Sequence, residues 1–132
     1  MFNQIIKDMK KVIATPDAPK AVGPYSQAIE VNGTLYISGQ IPVNPADGKV
    51  QEDIVDAAHQ SLKNIGAILK EAGMTYDNVV KTTVLLADIA DFKAVNEVYA
   101  EYFTGDKPAR ACYQAAARPL GVKVEIEAIA VK

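Results

Sequence analysis

One cysteine and one histidine occur in the 132 residues of this chain. A single cysteine, Cys112, excludes an intramolecular disulfide, so the fold is not a disulfide scaffold and a reducing compartment is the default expectation. With only His59 beside it, a metal site of the usual His/Cys type lacks ligands. No apolar run approaches the length that spans a membrane. The stretch from Met1 to Lys11 holds only Ile5 and Ile6 as an apolar run, so no signal peptide is expected. A Gly-rich phosphate loop and a Gly-x-Ser-x-Gly elbow are both missing. Positive charge is not in excess either: 14 basic residues face 16 acidic ones, a formal net charge of −2. Such a surface does not attract phosphates at long range, which disfavours a nucleic-acid partner. A soluble, cytoplasmic protein with no membrane association is expected.

What remains is ordinary globular composition, 49% hydrophobic and 23% charged, at the length of one domain. A chain of this size buries enough surface for one core. Lys11-Val12-Ile13 could be a short strand, and Thr15 to Pro24, with three prolines and a glycine, reads as a loop. Ala28 to Val31 and Leu35 to Ser38 flank Asn32-Gly33, the strongest hairpin signal in the chain. Ile54, Val55, Ala58, Leu62, Ile65, Leu69 and Ala72 recur at steps of three and four. They predict a helix with Asp53 and Asp56 at its start, Gly73 at its end, and Gln60, Lys63, Asn64, Lys70 and Glu71 on its solvated face. Val79 to Ala87 is apolar on both faces, as in a central strand. Asp88 suits the N-cap of a second helix whose buried stripe would be Phe92, Val95, Tyr99, Tyr102 and Phe103. Ala111 to Ala116 and Val122 to Val131 give two more strands about the turn Arg118-Pro119-Leu120-Gly121. The order β, β, β, α, β, α, β, β predicts an α+β two-layer sandwich, with both helices on one face of a mixed sheet. The other sheet face would be an apolar patch, which predicts oligomerisation through the sheet.

Several residues could carry chemistry, each with a plain alternative. His59 sits on a helix among polar neighbours and reads as a solvated surface histidine. Arg110 stands at the start of a strand after Pro108-Ala109. It could grip a carboxylate with two parallel hydrogen bonds, or be an exposed arginine that contributes little. Cys112 shares its strand face. It could be a small buried hydrophobe, or a nucleophile for which no activating base is evident. Glu125 and Glu127 alternate with apolar residues. They could form an acid/base pair or the solvated face of an edge strand. Asn96 and Tyr25 are polar residues among apolar neighbours, open to packing or functional readings alike.

Pro108-Ala109-Arg110-Ala111-Cys112-Tyr113-Gln114-Ala115-Ala116, followed by Val122 to Ala130 (Val-Lys-Val-Glu-Ile-Glu-Ala-Ile-Ala), closely resembles the signature of the reactive intermediate deaminase A (Rid, or YjgF) family. Gly23-Pro24-Tyr25-Ser26-Gln27-Ala28, Ser38-Gly39-Gln40-Ile41-Pro42 and Val95-Asn96-Glu97-Val98-Tyr99 are similar to it as well, in order and spacing. The resemblance implies one domain over residues 11–132, preceded by an N-terminal extension, 1–10. It implies a chorismate-mutase-like fold assembled as a homotrimeric barrel with clefts between subunits, and no cofactor. The implied reaction is hydrolysis of 2-imino acids such as 2-iminobutanoate and 2-iminopropanoate, or their enamine tautomers, to 2-keto acids and ammonia, which removes damaging intermediates. By matching position, Arg110 would hold the substrate carboxylate, and Glu125 would orient the attacking water. Cys112 would line the pocket, Tyr25 would close it, Gly39 would offer backbone hydrogen bonds and Asn96 would line the wall. Arg118 departs from the family, which often has an apolar residue before this proline; so do Tyr113 and Ala111. Two other readings stand beside the deaminase: a carboxylate-binding protein without useful turnover, and a ribonuclease or translation inhibitor.

Overall fold

The computed structural model describes residues 2–132. Among these residues the α-helices and strands follow in the order α1 (Phe2–Met9), β1 (Lys10–Ile13), β2 (Ala28–Val31), β3 (Thr34–Gln40), α2 (Ile54–Glu71), β4 (Val79–Leu86), α3 (Phe92–Tyr102), β5 (Ala109–Gln114) and β6 (Val124–Val131). The six strands form one mixed sheet in the order β1-β2-β3-β6-β4-β5. All neighbours are antiparallel except β4 and β5, which run parallel. A parallel pair needs a crossover, and α3 supplies it. The expected mixed α+β sheet is present. The short α1 was not foreseen, and the sheet begins at Lys10, paired with Val31, one residue before the expected domain start.

Local chemistry explains the elements that were legible. Asn32 and Gly33 have φ of 49° and 78°, the two left-handed residues that a tight hairpin turn between β2 and β3 requires. Asp53 caps α2 by accepting hydrogen bonds from the Val55 and Asp56 amides, both at 3.1 Å. Ala58, Leu62, Ile65 and Leu69 of α2 are buried against the sheet beside Val95, Val98 and Tyr99 of α3. The opposite strand residues Leu35, Ile37, Val84, Leu86, Val124 and Ile126 complete the core.

Four expectations about this layer are corrected. Val55 and Phe92, each in the first turn of its helix, are exposed rather than part of the buried stripes. Asn64 is 1% exposed instead of solvated, and its side-chain amide donates to the carbonyls of Ile41 (3.2 Å) and Val43 (3.0 Å). It thereby ties α2 to the segment leaving β3, a satisfied buried polar group. His59 is half-buried, not a free surface histidine: its Nδ1 lies 2.7 Å from the Tyr102 hydroxyl, joining α2 to α3. Asp88 does cap, but it caps a single 3-10 turn at Ile89–Asp91 that precedes α3.

The face of the sheet away from the helices is uncovered in the single chain. Val12, Tyr36 and Tyr113 stand exposed there, and Glu127, Lys81 and Thr83 face a cavity of about 170 Å³ with Tyr36 and Ile129. No helix among the described residues is long and apolar enough to cross a membrane.

Candidate active site

β5 is the edge strand, and its helix-facing side carries Arg110 and Cys112 in register with the buried Thr82 and Val84 of β4. Arg110 is not a free surface arginine. Its guanidinium carbon lies 4.9 Å from the Tyr99 ring centre and 5.4 Å from the Phe92 ring centre, and its Nη1 donates to Asn96 Oδ1 at 2.8 Å. All three partners lie on α3, so the helix that crosses from β4 to β5 also builds the cradle for the cation. Stacking holds the guanidinium plane and the asparagine fixes its rotation, which leaves the remaining N–H donors free to meet a planar anion. Phe92 and Tyr99 were assigned only to the core by periodicity. Their common function becomes visible once the spacing of seven residues on α3 is placed beside Arg110.

Cys112 is half-buried and packs against the core. Burial pushes its thiol above the ordinary range, and the neighbouring Arg110 charge pulls it partly back. The thiol stays protonated at neutral pH and is a poor nucleophile.

Tyr25, Gly39 and Glu125 are elsewhere. β6 lies between β3 and β4, so the possibility that Glu125 and Glu127 decorate an edge strand is excluded. Val124, Ile126 and Ala128 point into the core, which sends Glu125 and Glu127 to the uncovered face. There the two glutamates part company. Glu127 is exposed, whereas Glu125 is half-buried over Gly39, in a stretch where the β3–β6 register shifts between Ile37 and Gln40. A Cβ added to Gly39 would sit 2.2 Å from Glu125 Oε2, so glycine is what admits the carboxylate. Burial, then the charge of Glu127, raise the Glu125 pKa above the usual carboxylate range, while Arg118 lowers it.

Tyr25 comes from the loop between β1 and β2. The buried Gln27 pins that loop: it accepts from the Thr15 amide at 2.7 Å and donates to the carbonyls of Thr15, Ala18 and Pro19. Nothing in local sequence pattern marked Gln27. The Tyr25 hydroxyl accepts from the Val22 amide at 3.2 Å. Tyr25, Gly39, Ile41, Val43 and Leu120 line an apolar cavity of about 330 Å³.

The six residues singled out by sequence therefore fall into two groups. Arg110, Cys112 and Asn96 stand together at the β5 edge beside α3. Tyr25, Gly39 and Glu125 stand on the other side of the sheet. Within one chain the two groups do not meet. Among the described residues, no three His, Cys, Asp or Glu side chains are placed to hold a metal ion.

Comparison with known proteins identifies the family. The family described as Endoribonuclease L-PSP matches residues 15–132. A mouse (Mus musculus) protein named 2-iminobutanoate/2-iminopropanoate deaminase is 58% identical over 125 residues, covering 94% of this chain and 93% of its own. The crystal structure of a Rid-family protein, YyfA from Yersinia pestis, superposes with a TM-score of 0.91 at 50% identity, covering 93% of this chain and 99% of that one. Escherichia coli TdcF with bound serine gives a TM-score of 0.90 at 43% identity, over 92% of this chain and 98% of its own. On the strength of this match across nearly its whole length, the chain belongs to the Rid (YjgF, or L-PSP) family of reactive intermediate deaminases.

Proposed function

We propose that this protein is a 2-iminobutanoate/2-iminopropanoate deaminase, which hydrolyses short 2-imino acids and their enamine tautomers to 2-keto acids and ammonia. The observation that carries the reading is the setting of Arg110, a cation clamped by two aromatic rings and Asn96 with donors left over for a carboxylate. The names of relatives more than half identical to this chain support it.

The working site forms between copies of the chain. Three copies packed through their uncovered sheet faces would make a chorismate-mutase-like barrel, with Arg110, Cys112 and Asn96 of one subunit facing Tyr25, Gly39 and Glu125 of the next. The separation of these two groups on opposite sides of one sheet supports this assembly.

The chemistry needs little more. The C=N carbon of an imine is already electrophilic, and orientation supplies much of the acceleration. Arg110 fixes the carboxylate. Glu125 accepts a proton from water as the water oxygen bonds to C2 and the C=N π pair moves to nitrogen; that proton then passes to nitrogen, giving a tetrahedral amino alcohol. The hydroxyl proton next moves to nitrogen by way of Glu125 as the C=O forms and the C–N bond breaks, releasing ammonia and a keto acid. Cys112, held as a thiol, lines the pocket and does not attack. The partly apolar cavity beside Tyr25 suits a short alkyl side chain. No cofactor enters any step, and the proposed place of work is the cytoplasm, beside the pyridoxal-phosphate dehydratases that release such imines.

The test couples threonine dehydratase to keto-acid detection with semicarbazide competing for the imine. The protein should accelerate keto-acid release, and Arg110→Ala should abolish the effect; no acceleration by the wild type would refute the reading. Glu125→Gln separates an enzyme from a mere binder, because it should keep keto-acid affinity and lose turnover. The ribonuclease reading finds no support in the site, whose cationic group is one arginine at the edge of an acidic protein.

A further inference from the structure

The segment from Ala115 to Lys123 joins the Arg110 strand to the Glu125 strand, and its backbone is unusual. Leu120 has φ of 58° and Gly121 has φ of 64°, two left-handed residues in succession, of which the first is not a glycine. A leucine in that conformation persists only where its surroundings over-determine it. Arg118 provides the constraint. Its Nε donates to the Val122 carbonyl at 2.6 Å, and its Nη1 donates to the Ala115 carbonyl at 2.9 Å. One planar guanidinium thus clamps both ends of the loop, with the Gly121 amide closing the turn onto the Arg118 carbonyl at 3.1 Å. Val122 is buried immediately afterwards, and Glu125 follows three residues on. Carbonyl oxygens satisfy the donors of Arg118 without neutralising it, and among the described residues it forms no ion pair within 4.0 Å.

We propose that Arg118 is a positioning residue for Glu125: it locks the loop that delivers β6 and carries its positive charge at the entry to that strand. The inference rests on the deaminase reading, in which Glu125 handles water as an anion. Within the chain, burial and the charge of Glu127 work against that state and the charge of Arg118 works for it, as Arg110 of the next copy would in the assembled cleft. Lysine at this position would keep the charge but could not span two carbonyls in a fixed plane. Glutamine would keep one donor group and lose the charge.

The experiment measures kcat and KM from acid to alkaline pH in the semicarbazide-coupled assay for wild type, Arg118→Lys and Arg118→Gln, together with 13C NMR titration of the Glu125 carboxyl. In Arg118→Gln the acid limb of kcat/KM should move to higher pH. Activity should fall several-fold further at the acid end than on the plateau, where it stays below wild type as in the lysine variant, with the Glu125 titration moving in the same direction. Arg118→Lys should leave the titration close to wild type and lower kcat at every pH, with KM little changed, because only the clamp is lost. A uniform loss in Arg118→Gln with an unmoved Glu125 titration would overturn the proposal, as would wild-type kinetics in both variants. Should Arg118→Gln not fold, the lysine variant decides: a displaced Glu125 titration or an unchanged kcat in it refutes the division of roles. If Glu125→Gln retained turnover, the role of Glu125 in the deaminase reading would fail, while the carboxyl titration would still report whether Arg118 acts on it.

Discussion

Replacing Gly39 by alanine adds one methyl group, and the structure specifies what that methyl meets. It would lie 2.2 Å from Glu125 Oε2, 2.8 Å from Cδ and 3.1 Å from Cγ. Ordinary carbon–oxygen contact is more than 3 Å, so the carboxylate must retreat by about 1 Å. Gly39 does not need a left-handed backbone, and all three close atoms belong to the end of a flexible side chain. The fold should therefore survive, at a cost of about 0.5–1.5 kcal/mol for an off-rotamer Glu125, or a few degrees in Tm. Catalysis is less forgiving: a displacement of about 1 Å of a water-orienting group costs on the order of 100-fold in rate. The expected outcome is a folded Gly39→Ala protein with kcat reduced about 100-fold and keto-acid affinity nearly unchanged, because Arg110 is untouched. Circular dichroism melts and the semicarbazide-coupled assay measure the two quantities. A variant with kcat within about threefold of wild type would refute the placement of Glu125 at the reacting water, and with it the reason given for glycine at this position.

Further outcomes follow from other contacts. Arg110→Lys keeps the charge but loses the flat grip and the stacking on Tyr99 and Phe92; kcat/KM should fall by about 10- to 100-fold, a charged hydrogen bond being worth about 1.5–3 kcal/mol, with thermal stability little altered. Gly66→Ala would put a Cβ 2.1 Å from the Tyr76 hydroxyl and break its 2.7 Å bond to the Leu62 carbonyl, which should destabilise the protein by about 1–3 kcal/mol in a urea melt while the remaining folded fraction stays fully active. Glu125 has a raised pKa in the folded protein, so its stabilising contribution is present below the unfolded pKa and is lost as pH rises through the folded one. Glu125→Gln should accordingly melt above wild type at pH 7–8, with the advantage vanishing towards pH 4, even as its turnover should be lost. Cys112, kept protonated by burial, should react slowly with iodoacetamide at pH 7, and Cys112→Ala should retain most of the turnover.

Local pattern was enough wherever a residue's partner lay nearby in sequence. The Asn32-Gly33 turn, the start of α2 at Asp53 and the α2 stripe from Ala58 to Leu69 are set by contacts within a few residues, and all were legible. Asn64 was misread because its partners are carbonyls about twenty residues away in the segment leaving β3, which no helical period can reveal. Phe92 and Val55 keep the period but stand exposed in the first turn of their helices, and the Phe92 ring meets the Arg110 guanidinium rather than the core. Glu125 and Glu127 were indistinguishable because alternation gives the face of a strand and not its neighbours. Only the strand order β3-β6-β4 brings Gly39 under one glutamate and leaves the other exposed. The site residues themselves were named by family resemblance rather than by spacing, and the resemblance could not say that Arg110 and Glu125 point to opposite sides of their own sheet.

That opposition has a genetic consequence. If each cleft draws Arg110 from one subunit and Glu125 from its neighbour, Arg110→Ala and Glu125→Gln chains are each inert alone yet complementary when mixed. Some interfaces of a mixed assembly then join an intact arginine to an intact glutamate, and activity returns without any chain being wild type. A loss-of-function allele at one position can thus be masked by a different allele at the other. Dilution would act in the opposite sense, since on that reading a dissociated subunit carries every required residue and has no complete site.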